Sequence, residues 1–98
     1  MNEIVIDLKF VPFPNPEVLM SSEEDGTTVL INFDSGHSMS LNRMGSFIWE
    51  AADGIKTVED LIFQIIERFE GVPDHVENDV LELVEILKQN GYFGYEIR

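Results

Sequence analysis

The sequence predicts an α+β fold in which a three-stranded antiparallel sheet is followed by three helices. Two observations carry this expectation. As far as Leu41 the apolar residues alternate with polar ones between short turn signals, whereas from Asn42 onward they recur at the spacing of amphipathic helices. The chain has 98 residues, 44% of them hydrophobic and 10% aromatic, which is enough for one small core and too apolar for a disordered acidic tail.

The first element is a strand-like start over Ile4 to Val11, where Ile4, Ile6, Leu8 and Phe10 fall on one side. Pro12-Phe13-Pro14-Asn15-Pro16 follows. Three prolines in five residues withhold ladder donors and force extended geometry, so this is a stiff crossing segment. Residues 1–14 read as an N-terminal extension and 15–98 as the main domain. Val18-Leu19-Met20 is a strand whose end becomes solvated at Ser21 to Glu24, and Asp25-Gly26 is a hairpin turn. Thr27 to Phe33, rich in β-branched residues, is the best strand. After the turn Asp34-Ser35-Gly36, a weaker strand from His37 to Leu41 alternates Met39 and Leu41 with Ser38 and Ser40. Such a meander leaves its outer strands with one unpaired edge each.

Asn42 caps the first helix, which places Met44, Phe47, Ile48 and Ala51 together and stops at Asp53-Gly54. Thr57-Val58-Glu59-Asp60 is a near capping box opening a second helix with the stripe Val58, Leu61, Ile62, Ile65, Ile66 and Phe69. Asp74 and Glu77 mark the start of a third, which runs to Asn90-Gly91. On this helix Val76, Val80, Leu83, Val84 and Leu87 form a core stripe, with Leu81 and Ile86 outside it on opposite flanks. The apolar span of about 220° exceeds the ~100° that docking on one core requires. Either the helix is buried between two elements or one flank lines an apolar groove. Tyr92 to Arg98 reads as a short strand or an apolar tail.

Nineteen acidic against six basic residues give a net charge of −13, which repels nucleic acid and favours partners with basic groups. Without cysteine there is neither a disulfide framework nor thiolate chemistry, and without a secretory signal or long apolar run the chain reads as cytoplasmic, away from membranes. His37 and His75 stand singly, the paired carboxylates fall on turns and polar faces, and no nucleophile elbow or phosphate loop is present. No catalytic residue, metal ligand or cofactor is therefore assigned.

One extended pattern stands out: Leu41-Asn42, Gly45, Ile48-Trp49, Asp53-Gly54, Thr57-Val58, Asp79-Val80 and Gly91, in that order. It closely resembles the PqqD family, the peptide-recognition elements of ribosomally synthesised and post-translationally modified peptide pathways. Met44 departs from the family's usual Ser or Thr, and His37 to Ser40 lacks the aromatic and basic residues common there. The resemblance implies a winged helix-turn-helix-like domain without catalysis of its own. It would bind the leader of a precursor peptide as an extra strand and present it to a radical SAM or other modifying enzyme, as in pyrroloquinoline quinone biosynthesis. On that basis Ser38, Met39, Ser40 and Leu41 are expected to pair with the peptide, and Leu81, Val84 and Lys88 to touch its side chains. The N-terminal extension is left three roles: pairing in the sheet, forming a homodimer interface, or covering an edge. Two other readings are a generic protein-interaction module and a DNA-binding regulator, the latter opposed by a third helix whose sole cation is Lys88.

Overall fold

The computed structural model of the chain describes residues 7–94. Strands β1 (Val18–Ser22), β2 (Thr28–Asn32) and β3 (His37–Leu41) are followed by helices α1 (Arg43–Ala51), α2 (Val58–Arg68) and α3 (Val76–Gln89), the expected order. The sheet runs β1-β2-β3 with both pairings antiparallel, so β2 is central and β3 lies at an edge. Opposite partners include Met20, Leu30 and Met39 across the three strands. Leu30, at the centre of this row, is fully buried against the helices.

The core gathers apolar residues from every helix: Ile48 and Trp49 of α1, Leu61 and Ile65 of α2, and Val80, Val84 and Leu87 of α3. Tyr92 and Phe93 join it because the chain reverses after α3. Gly91 adopts a φ of +82°, a left-handed conformation that L side chains rarely adopt, and the Tyr92 and Phe93 N–H groups both donate to the Leu87 carbonyl. Phe93 then stacks on Trp49 at 5.2 Å and bridges to Pro14. Residues 95–98, part of the expected closing strand or tail, lie outside the described residues.

Two local expectations change. Of the strand-like start, residues 4–6 lie outside the described residues, and from Asp7 onward the chain makes a turn instead of a strand. The Asp7 carboxylate accepts from the Lys9 N–H and the Asp7 carbonyl from the Phe10 N–H. The segment then straps the start of α2, where the Phe10 and Leu8 carbonyls accept from the Val58 and Glu59 N–H groups. Thr57 Oγ1 takes the next donor, Asp60 N–H, while the Asp60 carboxylate accepts from the Thr57 N–H, completing the capping box. The free N–H groups of a helix start provide the physical reason for the strap. The second change is at α3, where Asp74 and Glu77 do not cap. The N-cap position is His75, which makes no side-chain capping bond, and its ring instead meets the Asp79 carboxylate at 2.7 Å.

The proline-rich crossing is anchored by Asn15, which is 2% exposed. Its side-chain N–H₂ donates to Asp34 and to the Gly91 carbonyl, and its side-chain oxygen accepts from the Glu17 N–H. One residue thereby ties the crossing, the β2–β3 turn and the end of α3 together.

Candidate functional site

The edge of β3 is open among the described residues, and its hydrogen-bonding groups can be assigned from the ladder. In an antiparallel pair, hydrogen-bonded and non-hydrogen-bonded residue pairs alternate. Phe33 N–H donates to the Glu17 carbonyl, and Glu23 N–H donates to the Thr27 carbonyl, at the two ends of β1–β2. Stepping by two from either end, Val29, Ile31 and Phe33 direct their backbone groups toward β1. Thr28, Leu30 and Asn32 therefore direct theirs toward β3, where they meet Leu41, Met39 and His37. Ser38 and Ser40 are left with N–H and C=O groups pointing away from the sheet. Two donors and two acceptors thus face outward, flanked by the side chains of His37, Met39 and Leu41 on the helix-facing side.

Helix α3 runs antiparallel to this edge with a cleft at each end. At the Leu41 end, a cleft of about 390 Å³ is lined by Ser40, Leu41, Met44, Gly45, Ile48, Asp79, Val80 and Leu83, among others. Gly45 matters here through its missing side chain: a Cβ would come within 3.2 Å of Leu41 Cβ and 3.3 Å of Leu83 Cδ2. Asn42 sets the helix direction by accepting from the Gly45 N–H, so the cap and the cleft floor are built by the same turn. At the His37 end, a second cleft of about 230 Å³ is lined by His37, Ser38, Met39, Asn90 and Tyr92.

The expected site residues are distributed as follows. Ser38, Met39, Ser40 and Leu41 share the open strand, with Ser38 and Ser40 exposed and Leu41 buried. Val84 is 0% exposed and belongs to the core. Leu81 is partly buried against that core, and Lys88, itself exposed, places its ammonium 5.6 Å from the centre of the Phe10 ring in the N-terminal strap. At 100° per residue the flank lining the clefts carries Asp79, Leu83, Ile86 and Asn90 instead. Ile86, an apolar residue 41% exposed, lies between the two clefts on this flank. The broad apolar span of α3 thus has a divided explanation: the Leu81 side is packed and the Ile86 side faces outward.

The charge beside the larger cleft is negative. Asp79 is half-exposed, and Glu82 lies one turn from it on the outer surface of α3. Among the described residues three cations are engaged elsewhere: Arg43 donates to the Asp25 carbonyl, Lys56 pairs with Asp53, and Arg68 stacks over Phe47. Two buried hydroxyls, those of Ser46 and Tyr92, have no hydrogen-bond partner among the described residues. Burial pushes the Tyr92 phenol above its ordinary pKa, so it stays neutral and able to donate. No cluster of three His, Asp or Glu residues suited to a metal occurs among the described residues, and none of their helices is long and apolar enough to cross a membrane.

The family profile of Coenzyme PQQ synthesis protein D (PqqD) matches residues 27–92, from β2 through the reversal after α3. The chain belongs to the PqqD family. No curated relative matches the sequence. Among solved structures, this PqqD-family chain is similar to TbiB1 in complex with the TbiA(beta) leader peptide, with a TM-score of 0.71 and 22% identity over 87% of this chain and 99% of that one. It is also similar to a lasso peptide synthetase B1 complexed with the leader peptide, with a TM-score of 0.69 and 24% identity over 85% and 96%. Both comparisons establish a shared fold.

Sequence reasoning missed Gly45 and Tyr92 as wall residues. Gly45 was visible only as one position of the family pattern. Tyr92 carried no signal, because its place depends on the chain reversing at Gly91.

Proposed function

We propose that this PqqD-family protein binds the leader segment of a ribosomally made precursor peptide by strand addition to β3 and presents it to a peptide-modifying enzyme. Catalysis in this reading belongs to the partner, a radical SAM protein or another modifying enzyme, in the pathway of pyrroloquinoline quinone or a related modified peptide. The carrying observation is the pair Ser38 and Ser40, whose backbone groups face outward beside an apolar cleft. Strand addition draws affinity from such main-chain groups and specificity from pockets for alternate side chains. The two solved structures of this fold, each described as a complex with a leader peptide, support the same reading.

On α3 the proposed contacts are Asp79, Leu83 and Ile86, the flank beside β3, in place of Leu81, Val84 and Lys88. Residues 15–98 would constitute the binding domain, with residues 8–14 acting as a strap on α2 that leaves β3 accessible. Asp79 and the surrounding negative field favour a leader carrying Lys or Arg. The same acidity opposes DNA binding, since the exposed surface of α3 presents Glu77, Asp79 and Glu82 against Lys88.

The test is a titration of ¹⁵N-labelled protein with synthetic leader peptides from candidate precursors. The amides of Ser38, Ser40, Leu83 and Ile86 should shift together and saturably. Saturable binding that leaves β3 unmoved would refute strand addition and favour a generic interaction module.

A further inference from the structure

We infer that the outward face of α2 is the dock for the peptide-modifying enzyme, taken by an enzyme surface with an apolar centre ringed by Lys or Arg. This rests on the presentation reading above and names where the partner sits. On α2 the buried residues Val58, Leu61, Ile62 and Ile65 occupy an arc of about 100°, which is all that docking on one core requires. Phe63 and Ile66 fall outside that arc, at about 140° and 80° from Val58. They are 62% and 52% exposed, although the sequence pattern counts Ile66 in the core stripe. Residues three apart on a helix are neighbours, so the two side chains form one apolar patch open to solvent.

The ring around this patch is acidic. Glu59 and Glu67 stand one turn before and one turn after Phe63, both exposed, and Asp60 is exposed beside them. With Lys56, Phe63 and Gln64 they line a cleft of about 580 Å³. Lys56, the one cation among the described residues of its walls, is already paired with Asp53 at 2.9 Å. Arg68 turns to another flank of α2, over Phe47. A partner must therefore bring apolar surface to cover Phe63 and Ile66 and positive charge to meet the carboxylates. A second copy of this chain fails the second requirement, because it sets a net charge of −13 against its like. Nucleic acid and an anionic membrane surface are repelled for the same reason.

Placement gives this face to the enzyme and not to the leader. Among the described residues, none that lines the α2 cleft also lines either cleft beside β3. A helix face also offers no row of unpaired main-chain groups to an extended peptide. A leader can thus lie along β3 while a globular partner covers Phe63 and Ile66. One small domain then holds both at once and raises the local concentration of leader at the enzyme.

The probe is the purified peptide-modifying enzyme encoded in the same gene cluster as this chain, titrated into ¹⁵N-labelled protein with and without leader peptide. In both cases the amides of Glu59, Phe63, Ile66 and Glu67 should respond. Phe63→Ser and the double variant Glu59→Gln/Glu67→Lys should each weaken enzyme binding about tenfold, and the double variant should also flatten its salt dependence. Both variants alter exposed side chains, so both should melt near the parent temperature and keep leader affinity within about twofold. Enzyme binding unchanged in both variants, with Ser38 and Ser40 amides still shifting on leader peptide, would overturn the dock while leaving strand addition standing. Loss of the enzyme in both variants, with β3 unmoved by leader peptide, would refute strand addition and support the dock. A synthetic amphipathic helix of Leu and Lys tests the chemistry without the enzyme: it should shift the same α2 amides, and a Leu–Glu counterpart should not. Equal shifts from the two helices would overturn the inference. So would a parent that sediments as a dimer and becomes monomeric as Phe63→Ser, which would assign the face to a second copy.

Discussion

Ser40→Pro separates the edge from the ladder within a single strand. Ser40 N–H points outward by the alternation set at Phe33 and Glu23, so proline there removes no bond to β2. Edge strands accept proline where the N–H faces solvent. Folding should therefore survive, with the five β2–β3 residue pairs retained. A bound peptide, however, loses one of the four main-chain hydrogen bonds available at Ser38 and Ser40, and its own carbonyl is left unpaired against β3. An unpaired group of this kind costs about 1–3 kcal/mol, which corresponds to a roughly 5- to 150-fold weaker complex. Met39→Pro is the internal control. Its N–H faces Leu30 in the centre of the sheet, so its loss should cost stability of about 1–3 kcal/mol and lower the melting temperature by at least roughly 5 °C. Calorimetry with a leader peptide that binds the parent and thermal melting of both variants read the two effects separately. Unchanged affinity in Ser40→Pro refutes strand addition at this edge. A Ser40→Pro protein that unfolds while Met39→Pro is tolerated would show that the assigned alternation is inverted.

Three further outcomes are expected. Gly45→Ala gains about 1 kcal/mol of helix propensity, but its Cβ crowds Leu83 Cδ2 at 3.3 Å and pushes that side chain into the cleft; stability should change little while peptide affinity falls several-fold by calorimetry. Val84→Ala removes two buried methyl groups from a fully enclosed side chain, so denaturant unfolding should show a loss of about 2 kcal/mol, with peptide affinity in the folded protein within twofold of the parent. Asp53 has a depressed pKa, chiefly through the Lys56 ammonium and then the Lys56 and Ile55 N–H groups. A lowered folded-state value contributes stability above the unfolded carboxylate pKa of about 3.9 that is lost as pH falls. Stability measured from pH 5 to pH 2 should therefore decline less steeply in Asp53→Asn than in the parent.

Those elements that depend on neighbours in sequence were legible without the structure. The turn at Asp25-Gly26, the cap at Asn42, the Thr57–Asp60 box and the change of period at Asn42 all act within a few residues, and each appears where expected. Alternation and periodicity already showed unpaired strand edges and a broadly apolar third helix, and the family resemblance assigned the third strand and that helix to the peptide. What escaped was set by contacts between distant residues. The Leu8 and Phe10 alternation carries the signal of a strand, yet their carbonyls are taken by the unsatisfied N–H groups at the start of α2, some fifty residues away. Asn15 looks like a turn residue, but its bonds reach Asp34 and Gly91.

The sequence by itself determined a small acidic α+β domain with an unpaired strand and an α3 too broadly apolar for one core, because periodicity and charge are properties of the chain read in order. Only the tertiary structure decided which flank of α3 faces that strand. Leu81 and Ile86 are equivalent departures from the helical stripe, and nothing along the helix distinguishes them. The distinction came from packing, since the N-terminal strap lies on the side of Lys88 and leaves Ile86 outward. The same packing brought Tyr92 to the wall of the second cleft.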